Sequence, residues 1–82
     1  MGRFHYVHIL VSEVDERRHY TGLTQDLDAR LVAQNAGQVP HTAKFKPWRL
    51  ETAVAFNSRT KAVAFERYLK SHSGRAFATK HF

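Results

Sequence analysis

The amino-acid sequence predicts an α+β fold in which helices pack against a small antiparallel sheet. Three observations predict this class: an N-terminal segment rich in β-branched residues alternates between two faces, two later segments repeat apolar residues at helical spacing, and the segments follow in the order β-β-α-loop-β-α. A chain of 82 residues can support one hydrophobic core. We therefore predict a single domain over residues 1–82.

The strands are predicted where β-branched and aromatic residues cluster. The first spans Phe4–Ser12, whose alternating residues are largely apolar in both sets, so the strand is expected to be covered on both faces. The polar stretch 13–19 predicts a hairpin loop, and Tyr20–Thr24 is short enough to be the returning strand. Trp48–Phe56, rich in Ala, Val and aromatic residues, is predicted to be the third strand.

The first helix is predicted over Gln25–Ala36, where apolar residues recur one turn apart. Thr24 is a suitable N-cap residue, and Gly37 is placed to end the helix. The next segment, Gln38–Pro47, contains two prolines and is predicted to be a loop.

The second helix is predicted over Arg59–His72, with Ser58 as its N-cap and Ser73-Gly74 as its end. The last residues of the chain are predicted to add only a short helical turn. The buried stripe of the second helix follows helical spacing and consists of Ala62, Phe65 and Leu69.

The chain is basic, and its positive charge is concentrated. Thirteen Lys and Arg stand against seven Asp and Glu, a net charge of +6; residues 1–30 carry four bases and five acids, whereas residues 31–82 carry nine bases and two acids. A one-sided positive field attracts polyanions, so we predict a nucleic-acid partner. The candidate phosphate contacts are the basic side chains Lys44, Lys46, Arg49, Arg59, Lys61, Lys70 and Arg75.

Several classes of protein are excluded by composition. The absence of cysteine removes disulfide frameworks, thiolate zinc sites and cysteine nucleophiles, and the six histidines lack the spacing of a zinc site. The apolar runs are too short to cross a bilayer. We therefore expect a cytoplasmic protein that does not span a membrane.

Three polar side chains stand where the helical pattern favours apolar ones: Arg30 and Gln34 on the first helix and Glu66 on the second. Each can be a core-edge residue that pairs with another charge or reaches water. Together with a hydroxyl or imidazole on a strand, however, a guanidinium and one carboxylate form a set suited to phosphodiester hydrolysis. One carboxylate is sufficient for Mg²⁺, which keeps most of its waters and takes other ligands from a substrate phosphate.

Four segments carry a resemblance to a known family. In chain order they are Tyr6-Val7-His8, Tyr20-Thr21-Gly22, Leu27-Asp28-Ala29-Arg30-Leu31 with Asn35 and Gly37, and Ala64-Phe65-Glu66-Arg67-Tyr68-Leu69-Lys70-Ser71. They resemble the GIY-YIG nuclease superfamily over residues 4–75, nearly the whole chain. The resemblance is greatest to small stand-alone proteins similar to the N-terminal nuclease domain of the UvrC repair protein.

The resemblance implies a three-stranded antiparallel sheet flanked by helices, and cleavage of DNA with Mg²⁺ or Mn²⁺ in repair or recombination. By position it implies that Arg30 contacts the scissile phosphate, that Glu66 binds the metal, and that Tyr20 is the tyrosine of the second motif. The residues matched as structural parts of the motifs are Tyr6, Gly22 and Asn35.

Two residues depart from the family pattern. His8 stands where the first motif has a tyrosine that activates or positions the attacking water, and an imidazole can do either near neutral pH. Gln34 stands where relatives commonly have His or Tyr, and its amide can bind phosphate or water but cannot exchange a proton. The catalytic set implied is His8, Tyr20, Arg30 and Glu66, which we expect to converge in an open, positively charged hollow.

Three functions stay open at this point. The first is a metal-dependent endonuclease that acts on structured or single-stranded DNA, with a protein partner as a source of specificity. The second is a module of the same fold that binds DNA or RNA and whose catalysis is weakened by His8 and Gln34. The third is an RNA-associated or protein-interaction domain without phosphodiester chemistry.

Overall fold

The computed structural model describes residues 4–82, so the first three residues of the predicted domain lie outside the described range. The elements follow in the order β1 (His5–Ser12), β2 (His19–Thr24), α1 (Leu27–Asn35), α2 (Pro40–Ala43), β3 (Trp48–Phe56), α3 (Arg59–Lys70) and α4 (His72–His81). In this described part of the chain, no helix is both long enough and apolar enough to cross a membrane.

The three strands form one antiparallel sheet in the order β2-β1-β3. The central strand β1 pairs on both sides, and His8 lies opposite Gly22 of β2 and Ala53 of β3. A register shift between Ile9 and Leu10 interrupts the pairing with β3. The predicted α+β class, a three-stranded antiparallel sheet flanked by helices, is confirmed.

The hydrophobic core lies between the sheet and α3. Val7 and Ile9 point to this α3 face of the sheet and are buried with Ala62 and Leu69 of α3. Phe65 packs at the border of this cluster and is half-buried. The alternate residues of β1 point to the opposite face, which α1 covers, so both faces of β1 are covered as predicted.

The first helix begins later than predicted, and its N-cap is Asp26 rather than Thr24. The Asp26 carboxylate accepts a hydrogen bond from the Ala29 N–H at 3.0 Å. The Thr24 hydroxyl instead accepts from the Asp26 N–H, which shapes the turn before the helix. Thr24 and Asp26 are both good capping residues two positions apart, so composition alone did not separate them. Gly37 follows the helix with φ +76°, the left-handed conformation expected at a C-terminal stop.

The segment predicted as a loop, Gln38–Pro47, contains the short helix α2. Pro40 is its first residue, where the missing N–H of proline costs no hydrogen bond. The Thr42 carbonyl accepts a hydrogen bond from the Trp48 indole at 3.1 Å, which ties α2 to the start of β3.

The C-terminal region differs most from the prediction. α3 ends at Lys70, and the Ser71 hydroxyl accepts from the Gly74 N–H to cap the ten-residue helix α4. The expected end signal, Gly74, lies inside α4, where a Cβ would collide with the Tyr68 carbonyl. Gly74 therefore permits close packing between the last two helices instead of ending a helix.

Candidate active site

His8 is at the centre of the candidate site. It lies in the middle strand, and its side chain is fully buried. Neither ring nitrogen has a hydrogen-bond partner among residues 4–82. The half-buried ring of Tyr20, on the neighbouring strand, has its centroid 6.2 Å from that of His8 and 6.5 Å from that of Trp48. Buried polar atoms are usually paired, so the two ring nitrogens of His8 are exceptions, as are His5 Nδ1 and Gln34 Oε1.

Gly22 brings an imidazole and a guanidinium together. A Cβ at this position would lie 2.8 Å from His8 Cε1, 2.9 Å from His8 Nε2 and 3.3 Å from Arg30 Nη1. The first two distances are shorter than carbon contacts allow, so no larger residue fits without moving His8. The glycine of the second motif is therefore explained by space rather than by backbone conformation.

Arg30 extends from α1 to the end of β2. Its Nη2 donates a hydrogen bond to the Leu23 carbonyl at 3.1 Å, which holds the half-buried guanidinium in place. No carboxylate of the described chain lies within ion-pair distance of it. The pairing of Arg30 with Glu66, one reading of the sequence, does not occur, and within residues 4–82 the charge of Arg30 has no acidic partner.

Glu66 lies on the inward side of α3, between Ala62 and Leu69, with its side chain 17% exposed. Lys70, one turn later, donates to Glu66 Oε2 at 2.6 Å. Residues 4–82 contain no cluster of three His, Asp or Glu side chains that could hold a metal, so Glu66 would be a lone carboxylate ligand. A carboxylate oxygen is the donor that Mg²⁺ and Mn²⁺ prefer, and the donor set therefore fits such an ion in kind.

The pKa of His8 depends on burial and on charged residues of both α1 and α3. The pKa of His8 falls from 6.5 to about 4, first because burial disfavours the charged ring, and then because the positive Arg30 lowers it further. The Glu66 carboxylate acts in the opposite direction and Lys70 again lowers the pKa. The imidazole of His8 is therefore neutral at pH 7.

The expected open hollow does not form around His8. Arg30 and Glu66 come from helices on opposite faces of the sheet, and both are half-buried. His8 lies in the interior rather than on an open surface. The sequence signal for this burial was the position of His8 in a strand that was predicted to be covered on both faces.

The remaining motif residues have structural contacts. The Gln34 amide is fully buried and donates to the Thr42 hydroxyl at 2.6 Å. Asn35 donates to the Trp48 carbonyl at 3.0 Å and accepts from the Trp48 N–H, which joins the end of α1 to the start of β3. Tyr6 lies half-buried on β1, with its ring 6.3 Å from that of Phe4.

The predicted phosphate contacts come from several elements of the fold. Arg49 pairs with Glu16 at 3.6 Å, and the Lys44 ammonium lies 5.3 Å from the centre of the Phe45 ring. Lys46 lies near Gly37, and Lys61 is exposed in the first turn of α3. Arg59 borders a shallow pocket on the outer side of α3. Lys70 and Arg75 instead line a cleft beneath the sheet, which sequence analysis did not predict because α4 forms one wall of it.

The fold and the site define a small α+β domain that carries the chemical groups of a phosphodiester hydrolase. Comparison with known proteins agrees with this class: the family model described as the GIY-YIG catalytic domain matches residues 4–80. The chain therefore belongs to the GIY-YIG family, whose members are endonucleases.

One curated relative matches along most of its length. A UPF0213 protein of Haloquadratum walsbyi is 32% identical over 74 residues, which cover 89% of this chain and 81% of the relative. No solved structure gives a significant match. The resemblance stated from the motifs is thus confirmed at the level of the family.

Proposed function

We propose that the protein is a divalent-metal-dependent endonuclease that hydrolyses phosphodiester bonds of DNA, with residues 1–82 as one nuclease domain. The observation that supports this most is the approach of two side chains at Gly22, where an added Cβ would meet both His8 Nε2 and Arg30 Nη1. Phosphodiester hydrolysis uses a cation at the phosphoryl oxygens, a group that orients water and a ligand for a metal. A role in repair or recombination, a cytoplasmic location and a protein partner that supplies specificity stay predictions.

Arg30 is the proposed phosphate-binding residue. One guanidinium nitrogen is committed to the Leu23 carbonyl, and the remaining N–H donors are available for the non-bridging oxygens of a phosphodiester. Because the group is held before substrate arrives, it needs little reorganisation as negative charge builds on the phosphoryl oxygens.

His8 is the proposed residue that orients the attacking water, together with Tyr20. At a pKa of about 4 the imidazole is neutral at physiological pH and has one nitrogen free to accept a hydrogen bond. The same low pKa makes it a weak base, so orientation is favoured over removal of the proton.

Glu66 would hold the metal. When bound, Mg²⁺ or Mn²⁺ supplies Lewis-acid stabilisation of the phosphoryl group and of the leaving oxygen. Lys70 donates to one oxygen of this carboxylate, Oε2, at 2.6 Å, so its positive charge would oppose a divalent cation bound at the same group.

A cleavage assay with matched variants tests the proposal. Purified protein is expected to nick plasmid DNA with Mg²⁺ or Mn²⁺ and not in chelator. Glu66→Gln and Arg30→Met should each slow nicking by about 100-fold or more. Glu16→Gln, which removes an exposed carboxylate in the loop between β1 and β2, should leave the rate unchanged. Equal rates in all three variants would contradict the assigned site.

A nucleic-acid-binding module of the same fold is the second candidate. The full burial of His8 and the ion pair on Glu66 favour it, since both make the catalytic groups less accessible. The double variant His8→Tyr with Gln34→His restores the residue types of the family pattern. Cleavage by this variant, without cleavage by the parent, would identify the parent as a binder.

A further inference from the structure

A cleft of about 740 Å³ lies between the α3 face of the sheet and the last two helices. Its floor is apolar, because Ile9 and Leu69 are buried there and Ala78 of α4 lines it beside them. Phe82 lines the cleft as well, and it is 45% exposed. Clefts of this volume commonly hold small organic groups.

Three cationic side chains, Arg17, Lys70 and Arg75, also line the cleft. Arg17 is paired with Asp15, whereas the Arg75 guanidinium has no ion pair with any residue of the described chain. The one acid on the lining is Glu51, which lies 3.5 Å from His19. The cleft therefore combines positive charge with an apolar floor and an exposed aromatic ring.

This combination suits a nucleotide better than a bare anion. A phosphate needs only the cations, while an apolar floor and an aromatic ring give a favourable environment to a flat base. A base can reach such a cleft only if it is unstacked from its neighbours, because base pairing and stacking keep it inside a duplex.

Lys70 connects this cleft to the candidate active site. It lines the cleft and donates to the Glu66 carboxylate at 2.6 Å. Tyr20 lines the cleft too, and its ring neighbours His8. A nucleotide in the cleft would therefore lie beside Lys70 and the Glu66 carboxylate that Lys70 contacts.

We propose that this cleft binds one unstacked nucleotide of the substrate strand, next to the bond that is cleaved. The inference rests on the proposed nuclease function and adds a substrate class to it: strands with an unpaired nucleotide beside the cleavage position.

An abasic scan tests the site without any cleavage. Binding of a short single-stranded oligonucleotide is measured in chelator while one abasic nucleotide is moved through the strand. At one position the loss of the base should weaken binding about 5-fold or more. Phe82→Ala should abolish this dependence, and Thr79→Trp, which places a bulky ring into the cleft from α4, should do the same.

A pair of charge variants gives the matched control. Arg75→Gln and Arg59→Gln each remove one exposed helical arginine, but only Arg75 lines the cleft. Arg75→Gln is expected to lower the slope of log affinity against log salt concentration by the amount that corresponds to about one phosphate contact. Arg59→Gln is expected to leave this slope unchanged.

The outcomes separate the two proposals. Uniform affinity across the abasic scan, or equal effects of the two arginine variants, would overturn the nucleotide site while metal-dependent cleavage leaves the nuclease proposal in place. Failure of the parent protein to bind or cut any nucleic acid would overturn both.

Discussion

At the scale of single residues, His8 shows most clearly how the fold changes the chemistry of a side chain. The sequence indicated an imidazole where the family pattern has a phenol, and an ordinary imidazole titrates near neutral pH. Burial in the sheet and the nearby Arg30 lower its pKa to about 4. The residue type was predictable, but its protonation state depends on groups distant in sequence.

The titration of His8 should make stability depend on pH. In the unfolded chain the residue titrates near pH 6.5 and in the folded protein near pH 4, so the unfolded chain binds more protons between these values. The free energy of unfolding therefore decreases as pH falls, by about 2 kcal/mol from this residue between about pH 7 and about pH 5. Urea unfolding of the parent and of His8→Gln measures this difference. Identical pH dependence in both proteins would contradict it.

Gly22 should be intolerant of any side chain. In Gly22→Ala the new methyl group meets the buried His8 ring at 2.8 Å, so we expect a loss of about 1–3 kcal/mol in stability and a severe loss of cleavage. Gly37→Ala is the control, because its φ of +76° makes it destabilising for backbone reasons alone. Denaturant unfolding and nicking rates, measured on both variants, separate the effects. Equal activity of the two at temperatures where both are folded would rule out the crowding of His8 and Arg30.

Lys70 should compete with the metal for Glu66. Replacement of Lys70 by Gln removes the ammonium that lies 2.6 Å from the carboxylate, so the free protein should bind Mn²⁺ more tightly. Lys61→Gln removes an equal charge from the exposed first turn of the same helix and corrects for net charge. Electron paramagnetic resonance of unbound Mn²⁺ measures the Mn²⁺ affinity of both variants. The same affinity in the two variants would show that Lys70 does not occupy the site.

At the scale of secondary-structure elements, the sequence predicted the strands well because composition and alternation are local. The bounds of β3 agree with the prediction, and Ser58 caps α3 as expected. The C-terminal helix was not predicted, because Ser73-Gly74 is also the typical end of a helix. Gly74 instead permits close packing against Tyr68, and this role depends on how α3 and α4 meet. The sequence alone does not contain that geometry in a recognisable form.

The link between α1 and β3 should be a stabilising feature of the fold. Asn35 makes two hydrogen bonds to the backbone of the buried Trp48, so Asn35→Ala leaves a buried donor and acceptor without partners. We expect a loss of about 2–4 kcal/mol in the free energy of unfolding. Asn57→Ala, in the exposed turn after β3, should change stability by less than about 0.5 kcal/mol. A similar small effect of both substitutions, in urea denaturation, would show that Asn35 does not join the two elements.

At the scale of the whole molecule, the candidate site draws on two strands and two helices that are far apart in the chain. The motifs predicted which residues take part, since each motif is a short run with its own spacing. They did not predict that His8 would be buried, that Lys70 would pair with Glu66, or that Arg75 would line a cleft. These features arise from packing between α3, α4 and the sheet. The basic residues likewise belong to several elements, among them β3, α3 and α4.

The central claim is that Arg30 and Glu66 act on one site centred on His8. The most direct measurement is an NMR titration of the His8 ring in the parent, in Arg30→Met and in Glu66→Gln. Because the guanidinium lowers the pKa of His8 and the carboxylate raises it, Arg30→Met should move the pKa up from about 4 and Glu66→Gln should move it further down. A parent pKa near 6.5, or a pKa that neither substitution changes, would contradict the convergence of these three residues.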